Sequence, residues 1–439
     1  MELVKIKLDS NEKNFFIKII SLLTGIDYHK VEEDYLYHVE CNKLSKAQDK
    51  RVIKSFLETY HTDEIKIGKK IKLKDLKLDS GKYIIFCKDK VDFDHAIYLS
   101  DGKVYARYKN LLDINVSKVY KRNELRLYKT WMDNYSFFSN NTFVLDELNN
   151  LIKLEMYTEK KFEVRIKKEE ILFKKMPKSK SLKLVKKYFK RHKISINIKE
   201  LIKNKSFVLL EKEKQLINSN FKETVLDGKN YFDDKEQRVK SVVYITNTLE
   251  DAYIMVHELT HHRNHPNGKR NIVSNLLTES LSYTHGLIFG SELKYDDEKQ
   301  MIYDYFITNL FNEAYSLYYI YKILEVYKKK KSLEKEAYDQ VYKHNDYNKA
   351  IKDLNAFVKD GLSIFRLSYH LLGKCMAVYM FVRYKEDESF YKKIEQLNNS
   401  INTQELDRCL SIIDLKDFTD LTKKYNESID KFLDITKLN

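Results

Sequence analysis

The sequence predicts a mainly α fold with an α/β region at its N-terminal end. Only 2 prolines and 10 glycines interrupt 439 residues, so long helices can form. From residue 272 to residue 438, tyrosines and leucines recur three and four positions apart, which is the spacing of successive amphipathic helices. Near the N-terminus, short runs of β-branched and aromatic residues indicate strands instead.

Three consecutive regions follow from these patterns. The N-terminal α/β region (1–115) combines helical periods with a strand–turn–strand pattern. Its helices are predicted at 15–23 and 47–60 and its strands at 82–87, 95–99 and 104–107. Region 116–225 is predicted to be basic and mainly helical, with one possible strand at 161–166. Region 226–439 is predicted to be mostly helical and to carry the chemistry.

The composition excludes several classes of protein. Four cysteines are scattered without a C-x-x-C pair, which excludes a Cys-type zinc finger and indicates a reducing compartment: Cys41, Cys87, Cys375 and Cys409. The longest apolar stretch, 15–26, is shorter than the ~20 residues that span a bilayer. The first residues lack the basic-then-apolar plan of a signal peptide. We therefore expect a cytoplasmic protein without a membrane partner.

The net charge of +15 is densest between residues 165 and 205. Leucines, Val185 and Phe189 recur there at helical spacing, and no RNA-recognition signature accompanies the lysines. We interpret the basic stretch as a solvated helix face rather than a nucleic-acid surface.

The chemistry is concentrated where a predicted strand, 238–246, passes into a helix. Asn247 and Thr248 supply an N-cap, with Asp251 three residues later, so the helix begins near Leu249. This helix contains the H-E-x-x-H pattern at 257–261, in which His257 and His261 project from one face and can bind one zinc ion. The 12 histidines and 65 acidic residues lead us to expect only about 0.05 chance matches. The sequence therefore predicts one zinc ion per chain.

A catalytic zinc ion needs a third protein ligand. The extended metzincin pattern would require glycine and histidine where this chain has Asn264 and Asn267, so that pattern is excluded. Glu279, on a predicted apolar helix over 272–287, is the candidate ligand, because a buried carboxylate needs compensation. A salt bridge from Glu279 to Arg263 or Lys269 is the alternative.

The ligand set predicts a reaction. Zinc would acidify a bound water molecule and polarise a scissile carbonyl. Glu258, one residue after the first histidine, would act as the general base and pass the proton to the leaving amine. A tyrosine or histidine from elsewhere would stabilise the oxyanion.

These residues resemble the gluzincin peptidases, and most closely the M3 oligopeptidases related to thimet oligopeptidase and oligoendopeptidase F. The resemblance rests on 243–247, Asp251, the H-E-x-x-H pattern and Glu279-Ser280, and it covers about 228–385. It implies a zincin-type C-terminal half, a small β-sheet plus a helical bundle, that hydrolyses peptides or unfolded polypeptides. Thr260 stands where the family has glycine.

The resemblance also implies further site residues. Segment 368–373, with Tyr379, is similar to the C-terminal region whose tyrosines and histidine contact substrate and oxyanion in that family. Carried over, the candidates are Tyr369, His370 and Tyr379.

Two other interpretations stay open. Segment 81–86 and His95 resemble a strand pair of papain-like cysteine peptidases, for which Cys41 would be the nucleophile. A degenerate fold of that type would bind a peptide or protein partner through the N-terminal region. Alternatively, the whole chain is a non-enzymatic peptide-, protein- or nucleic-acid-binding protein with a structural or degenerate zinc site. An intact Glu258 favours the enzyme, because a structural site needs no general base.

Overall fold

We describe the protein from a computed structural model. The structure describes residues 62–67, 83–87, 96–99, 103–106, 115–122, 150–154, 173–211, 228–233, 238–264, 272–332, 334–342, 346–359, 363–401 and 405–436, together with residues 21, 27, 29, 71, 72, 75 and 147. Several predicted features lie outside this described part of the chain: the helix at 15–23 except for residue 21, the helix at 47–60, the strand at 161–166, and the residues Cys41 and His95.

The strands and helices, in chain order, are β1 (Thr62–Ile65), β2 (Tyr83–Cys87), β3 (Ala96–Leu99), β4 (Lys103–Ala106), β5 (Val116–Arg122), α1 (Lys178–Arg191), α2 (Ile198–Lys203), β6 (Phe207–Glu211), β7 (Gly228–Asp233), β8 (Arg238–Ile245), α3 (Leu249–Asn264), α4 (Ile272–Ser291), α5 (Asp296–Lys330), α6 (Lys335–Val341), α7 (Tyr347–Lys359), α8 (Ser363–Glu386), α9 (Tyr391–Ser400), α10 (Leu406–Ile412) and α11 (Phe418–Thr436). The fold is therefore mainly helical with small sheets, and the helices predicted after residue 271 are confirmed.

The chain divides into two compact units, each assembled from three separated segments. The first comprises Met1–Ser139, Glu213–Val225 and Tyr319–Ser363, and the second comprises Asn140–Lys212, Leu226–Tyr318 and Ile364–Asn439. This division differs from the three consecutive regions 1–115, 116–225 and 226–439, because segments far apart in sequence pack together.

The first unit contains two small antiparallel sheets. One has the strand order β1-β5-β2, and the other is the hairpin β3–β4. The predicted strand–turn–strand pattern is confirmed at β2, β3 and β4. The mainly helical assignment of 116–225 is wrong at β5, because long-range pairing with β1 and β2 decides its conformation.

The second unit holds a three-stranded sheet of order β6-β8-β7. Strand β6 pairs parallel with β8, and β7 pairs antiparallel with β8. The predicted strand at β8 is confirmed. The helical assignment of 116–225 is also wrong at β6, where the apolar run 207–210 pairs with β8 and buries Phe207.

Helix α3 is the central helix of this unit. It packs against β8, β7, α1 and α4, and Leu249 and residues 251–261 are all buried. Its predicted start at Leu249 is confirmed, and the Asp251 carboxylate accepts hydrogen bonds from the backbone N–H groups of Thr246, Asn247 and Thr248. Asn247 has a φ of 59°, a left-handed conformation that asparagine tolerates.

The basic stretch forms α1 and α2. Helix α1 buries Val185, Tyr188 and Phe189 and exposes lysines on its other face. This agrees with a solvated helix face. Among the described residues, no helix has the length and apolarity that crossing a membrane requires.

Candidate metal centre

The two histidines of the H-E-x-x-H pattern converge in the interior. Four residues is close to one helical turn, so His257 and His261 lie on one face of α3. Their Nε2 atoms are 3.0 Å apart, and both residues are buried. Two imidazole nitrogens this close in a buried place share either one proton or a cation.

Helix α4 brings a carboxylate to the same point. Glu279 Oε2 lies 3.5 Å from Nε2 of His257, and Oε1 lies 3.4 Å from Nε2 of His261. The candidate ligand atoms of these three residues all lie within 4.8 Å of one another. Arg263, the competing partner considered from the sequence, forms a two-pronged salt bridge with Glu395 instead.

The spacing of the three residues suits a tetrahedral metal ion. Zinc bonds of 2.0–2.1 Å to nitrogen and oxygen imply ligand–ligand distances of about 3.3–3.4 Å. The observed distances of 3.0, 3.4 and 3.5 Å bracket that value. A set of two imidazoles and one carboxylate is also a donor set that zinc prefers in catalytic sites. These residues therefore fit a zinc ion.

Charge favours an ionised Glu279. Burial acts to raise its pKa, but His370, His261 and His257 face the carboxylate and hold its pKa well below the usual range. Glu279 is therefore an anion facing imidazole rings. Such a site favours a bound cation, because the cation would compensate the buried negative charge.

Glu258 lies between the two histidines in sequence and is packed under a strand. Its side chain is buried, and a Cβ added to Gly228 would come within 2.6 Å of Cγ and 2.7 Å of Oε1 of Glu258. Gly228 begins β7, which pairs with β8 on one side. A larger residue at position 228 would require the Glu258 side chain to move. Sequence reasoning did not single Gly228 out.

Helix α8 contributes His370. Its Nδ1 lies 3.4 Å from Oε2 of Glu279 and 2.8 Å from the hydroxyl oxygen of Tyr283. Gly373, one turn later, makes this approach possible. A Cβ there would lie 3.1 Å from Cβ of Glu279 and 3.3 Å from the backbone nitrogen of Ser280.

Tyr283 is a site residue that sequence reasoning missed. Its ring lies 4.8 Å, centroid to centroid, from the His257 ring, and Nζ of Lys374 lies 4.7 Å from its centroid. A signal was present, because Tyr283 follows Glu279 by four residues and so shares its helix face.

The other two predicted residues of α8, Tyr369 and Tyr379, differ in whether they lie near His370. Tyr369 is half-buried, and its ring lies 4.9 Å from the His370 ring. Tyr379 is not part of the cluster, because its buried hydroxyl donates to the carbonyl oxygen of Ile413. Nine residues at about 100° each bring Tyr379 to the opposite face of the helix from His370. Its predicted catalytic role is therefore corrected to one in core packing.

A second polar cluster involves the same two helices, α3 and α4, that carry the candidate metal ligands. Arg263 donates to both carboxylate oxygens of Glu395, at 3.1 and 2.6 Å, and the Tyr391 hydroxyl donates to Oε1. Nε2 of the fully buried His285 is 3.6 Å from the same oxygen, and its Nδ1 is 2.8 Å from the Tyr188 hydroxyl. Burial lowers the pKa of His285 to about 4. The cluster ties the end of α3 to α9, α4 and α1.

Comparison with known proteins adds little. No protein-family model matches the sequence, and no curated protein is significantly similar to it. Among solved structures, the chain is similar to one described as "Crystal structure of a putative oligoendopeptidase F from Bacillus anthracis str. Ames", at 14% identity and a TM-score of 0.37. The match covers 55% of this chain and 43% of that chain, less than half of its length. A likeness this weak carries no argument about function, which rests on the geometry above.

Proposed function

We propose that this chain is a zinc-dependent metalloendopeptidase that holds one zinc ion through His257, His261 and Glu279. The observation that carries the proposal is the convergence of two imidazole nitrogens of α3 and the Glu279 carboxylate of α4, at distances of 3.0–3.5 Å. Helix α3 also carries the buried Glu258 between the two histidines. A bound zinc ion would supply Lewis acidity, which lowers the pKa of water and polarises a carbonyl oxygen.

Glu258 is the proposed general base. Its carboxylate accepts a proton from the attacking water and passes that proton to the leaving amine. The close fit of Gly228 over its side chain restricts the positions that the carboxylate can take. A fixed carboxylate loses less freedom on reaching the reactive geometry, which favours proton transfer.

Strand β7 is the proposed guide for the substrate. Strand β7 stands at one end of the strand order β6-β8-β7, and an extended peptide binds to a sheet by adding a strand at its edge. Because Gly228 of β7 touches Glu258, a peptide paired along β7 would pass close to the general base. A flexible peptide or unfolded polypeptide can adopt that extended form.

Replacing Glu258 with glutamine tests this function. Glu258→Gln keeps the shape of the side chain but removes the base, so we expect stoichiometric zinc and a fall in peptide hydrolysis of about 10²–10⁴-fold. The measurements are metal analysis and turnover of a quenched fluorescent peptide library.

Glu250→Gln, in the first turn of the same helix, is the matched control and should keep full turnover. Hydrolysis that survives Glu258→Gln would contradict the assigned base. A zinc-loaded wild-type protein that cleaves no peptide would instead favour a non-enzymatic binding protein.

A further inference from the structure

We propose that Ser241 is a positioning residue that fixes the sheet β6-β8-β7 on helix α3, and so sets which bond of a peptide on β7 faces Glu258. This inference rests on the proposed peptidase function for its consequence in cleavage. The link between sheet and helix is a property of the folded protein and can be measured without any reaction.

The Ser241 hydroxyl is a buried meeting point of two strands and a helix. Ser241 lies on β8 and is 0% exposed. Nδ2 of Asn230, its cross-strand partner on β7, donates to Oγ of Ser241 at 2.7 Å. On the helix side, the same Oγ lies 3.0 Å from Nδ1 of His262 and 3.4 Å from the backbone carbonyl oxygen of Glu258. One oxygen atom therefore joins β7, β8 and α3.

The link holds whichever way the hydroxyl proton points. A serine hydroxyl has one proton to donate and two lone pairs that accept. The Asn230 amide uses one lone pair, and the proton can go to the His262 ring or to the Glu258 carbonyl oxygen, which both belong to α3. If the His262 ring is the donor instead, it uses the second lone pair and the proton goes to the carbonyl oxygen. Each arrangement connects the sheet with the helix.

The neighbouring positions on this face of β8 are apolar. Successive residues of a strand alternate between its two faces, so Val243 and Ile245 share a face with Ser241, and both are at most 1% exposed. Apolar packing is non-directional, so it opposes a small slide of the helix along the sheet less sharply than a hydrogen bond, which needs a definite distance and angle. The Asn230–Ser241 pair is therefore the point of this face that resists sliding.

The position of the sheet on α3 matters because each carries a different part of the proposed machinery. Strand β7 would hold the peptide, whereas α3 carries Glu258 and both histidine ligands. An extended peptide advances about 3.3 Å per residue. A slide of about 1 Å would move the favoured bond away from the base and lower its rate by up to about 100-fold. Neighbouring bonds would then compete for cleavage.

Two truncations break the link at different atoms. In Ser241→Ala we expect unchanged zinc content and KM, a fall in kcat of about 10–100-fold, and altered proportions of the bonds cleaved in one defined peptide, read by mass spectrometry. Asn230→Ala should alter the proportions in the same direction. The double variant should match Ser241→Ala, because Asn230 acts through Ser241. A merely structural loss would lower the amount of active enzyme and leave the proportions unchanged.

Hydrogen exchange of the β7 backbone amides, residues 228–233, tests the link without catalysis. Loss of one buried hydrogen bond should make exchange about fivefold faster in Ser241→Ala than in the wild-type protein. Ser181→Ala is the matched control. It removes another buried serine hydroxyl, one for which the described residues supply no hydrogen-bond partner, and should change neither exchange nor product proportions.

The outcomes separate this proposal from the proposed function. Product proportions that Ser241→Ala leaves unchanged in an active enzyme, or β7 exchange that neither truncation accelerates, would overturn the role of Ser241. If the wild-type protein cleaves no peptide while Ser241→Ala accelerates β7 exchange and Ser181→Ala does not, the link between sheet and helix stands and the peptidase is refuted.

Discussion

Glu279 keeps its negative charge because three imidazole rings surround it. Its side chain is 12% exposed, so water gives it little compensation, and the low pKa depends on His370, His261 and His257. A carboxylate held ionised in this way is ready to bind a metal ion at neutral pH without first losing a proton. The residue-scale predictions concern this carboxylate and the neighbouring Glu258.

Replacing Glu279 with alanine should weaken zinc binding by more than about 100-fold, since even partners that only orient ligands cost 10–100-fold. Competition with a fluorescent chelator measures the affinity. Glu292→Ala is the control, because Glu292 pairs with Arg191 and His192 instead of facing the ligands. Equal losses in the two variants would show that a different carboxylate binds zinc.

Gly228→Ala should impair hydrolysis without removing zinc. The new methyl group would overlap the Glu258 side chain, and displacing a base by about 1 Å can cost about 100-fold in rate. Turnover and metal content, measured on the same preparation, check this. Normal turnover in Gly228→Ala would mean that Glu258 can shift without losing its role.

At the scale of elements, the site depends on how closely α8 approaches α4. Gly373 lies against Cβ of Glu279 and the backbone of Leu276 and Ser280, and backbone atoms cannot move aside as a side-chain end can. The same contact brings His370, one turn earlier on α8, to Glu279. The small residue therefore sets the spacing of two helices and the geometry of the site together.

Gly373→Ala should separate these helices. Alanine favours helices over glycine by roughly 0.5–1 kcal/mol, but overpacking at a tight contact costs typically 1–3 kcal/mol, so we expect net destabilisation. Urea unfolding measures the stability, and the nitrogen-15 shifts of His370 report its contact with Tyr283. A variant more stable than wild type, with unchanged His370 resonances, would contradict this.

At the scale of the whole molecule, metal binding and folding are linked. A ligand that binds only the folded state stabilises that state by about 2.7 kcal/mol when the free ligand concentration is 100 times the Kd. Zinc should therefore raise the melting temperature of the wild-type protein, whereas the variants His257→Ala and His261→Ala should show no such rise. Calorimetry with and without a chelator provides the measurement, and an equal rise in both variants would argue against the site.

Stability should also fall in acid because of His285. Its pKa is lowered by burial from 6.5 to about 4, so the unfolded chain binds its proton first as the pH falls. The stability that this group contributes is present above about pH 6.5 and is lost progressively towards pH 4, by about 3 kcal/mol in total.

His285→Gln should therefore have a flatter dependence of unfolding free energy on pH. Urea unfolding of chelator-treated protein at several pH values between 4.5 and 7 measures the difference. His29→Gln, at an exposed position, is the control and should follow the wild-type curve. Parallel curves for His285→Gln and the wild-type protein would show that another group titrates.

The sequence by itself determined the local parts of this protein. Residue patterns within a stretch of fewer than 30 positions predicted strand β8, the cap at Asp251 and helix α3. They also predicted that His257 and His261 share a face, because helix geometry fixes which neighbours in sequence lie on one side. Helix α4, with Glu279 on it, was predictable in the same way.

Only the tertiary structure decided which distant residues meet. The contact of Tyr283 with His370 joins positions 87 residues apart, and that of Arg263 with Glu395 joins positions 132 apart. Gly228 meets Glu258 only because β7 pairs with β8 above α3. Such contacts depend on how helices and strands pack, and the spacing within any one segment carries no information about its partner in another. For that reason the sequence predicted the three ligand candidates, while packing selected His370 and Tyr283 as their neighbours and turned Tyr379 into the core.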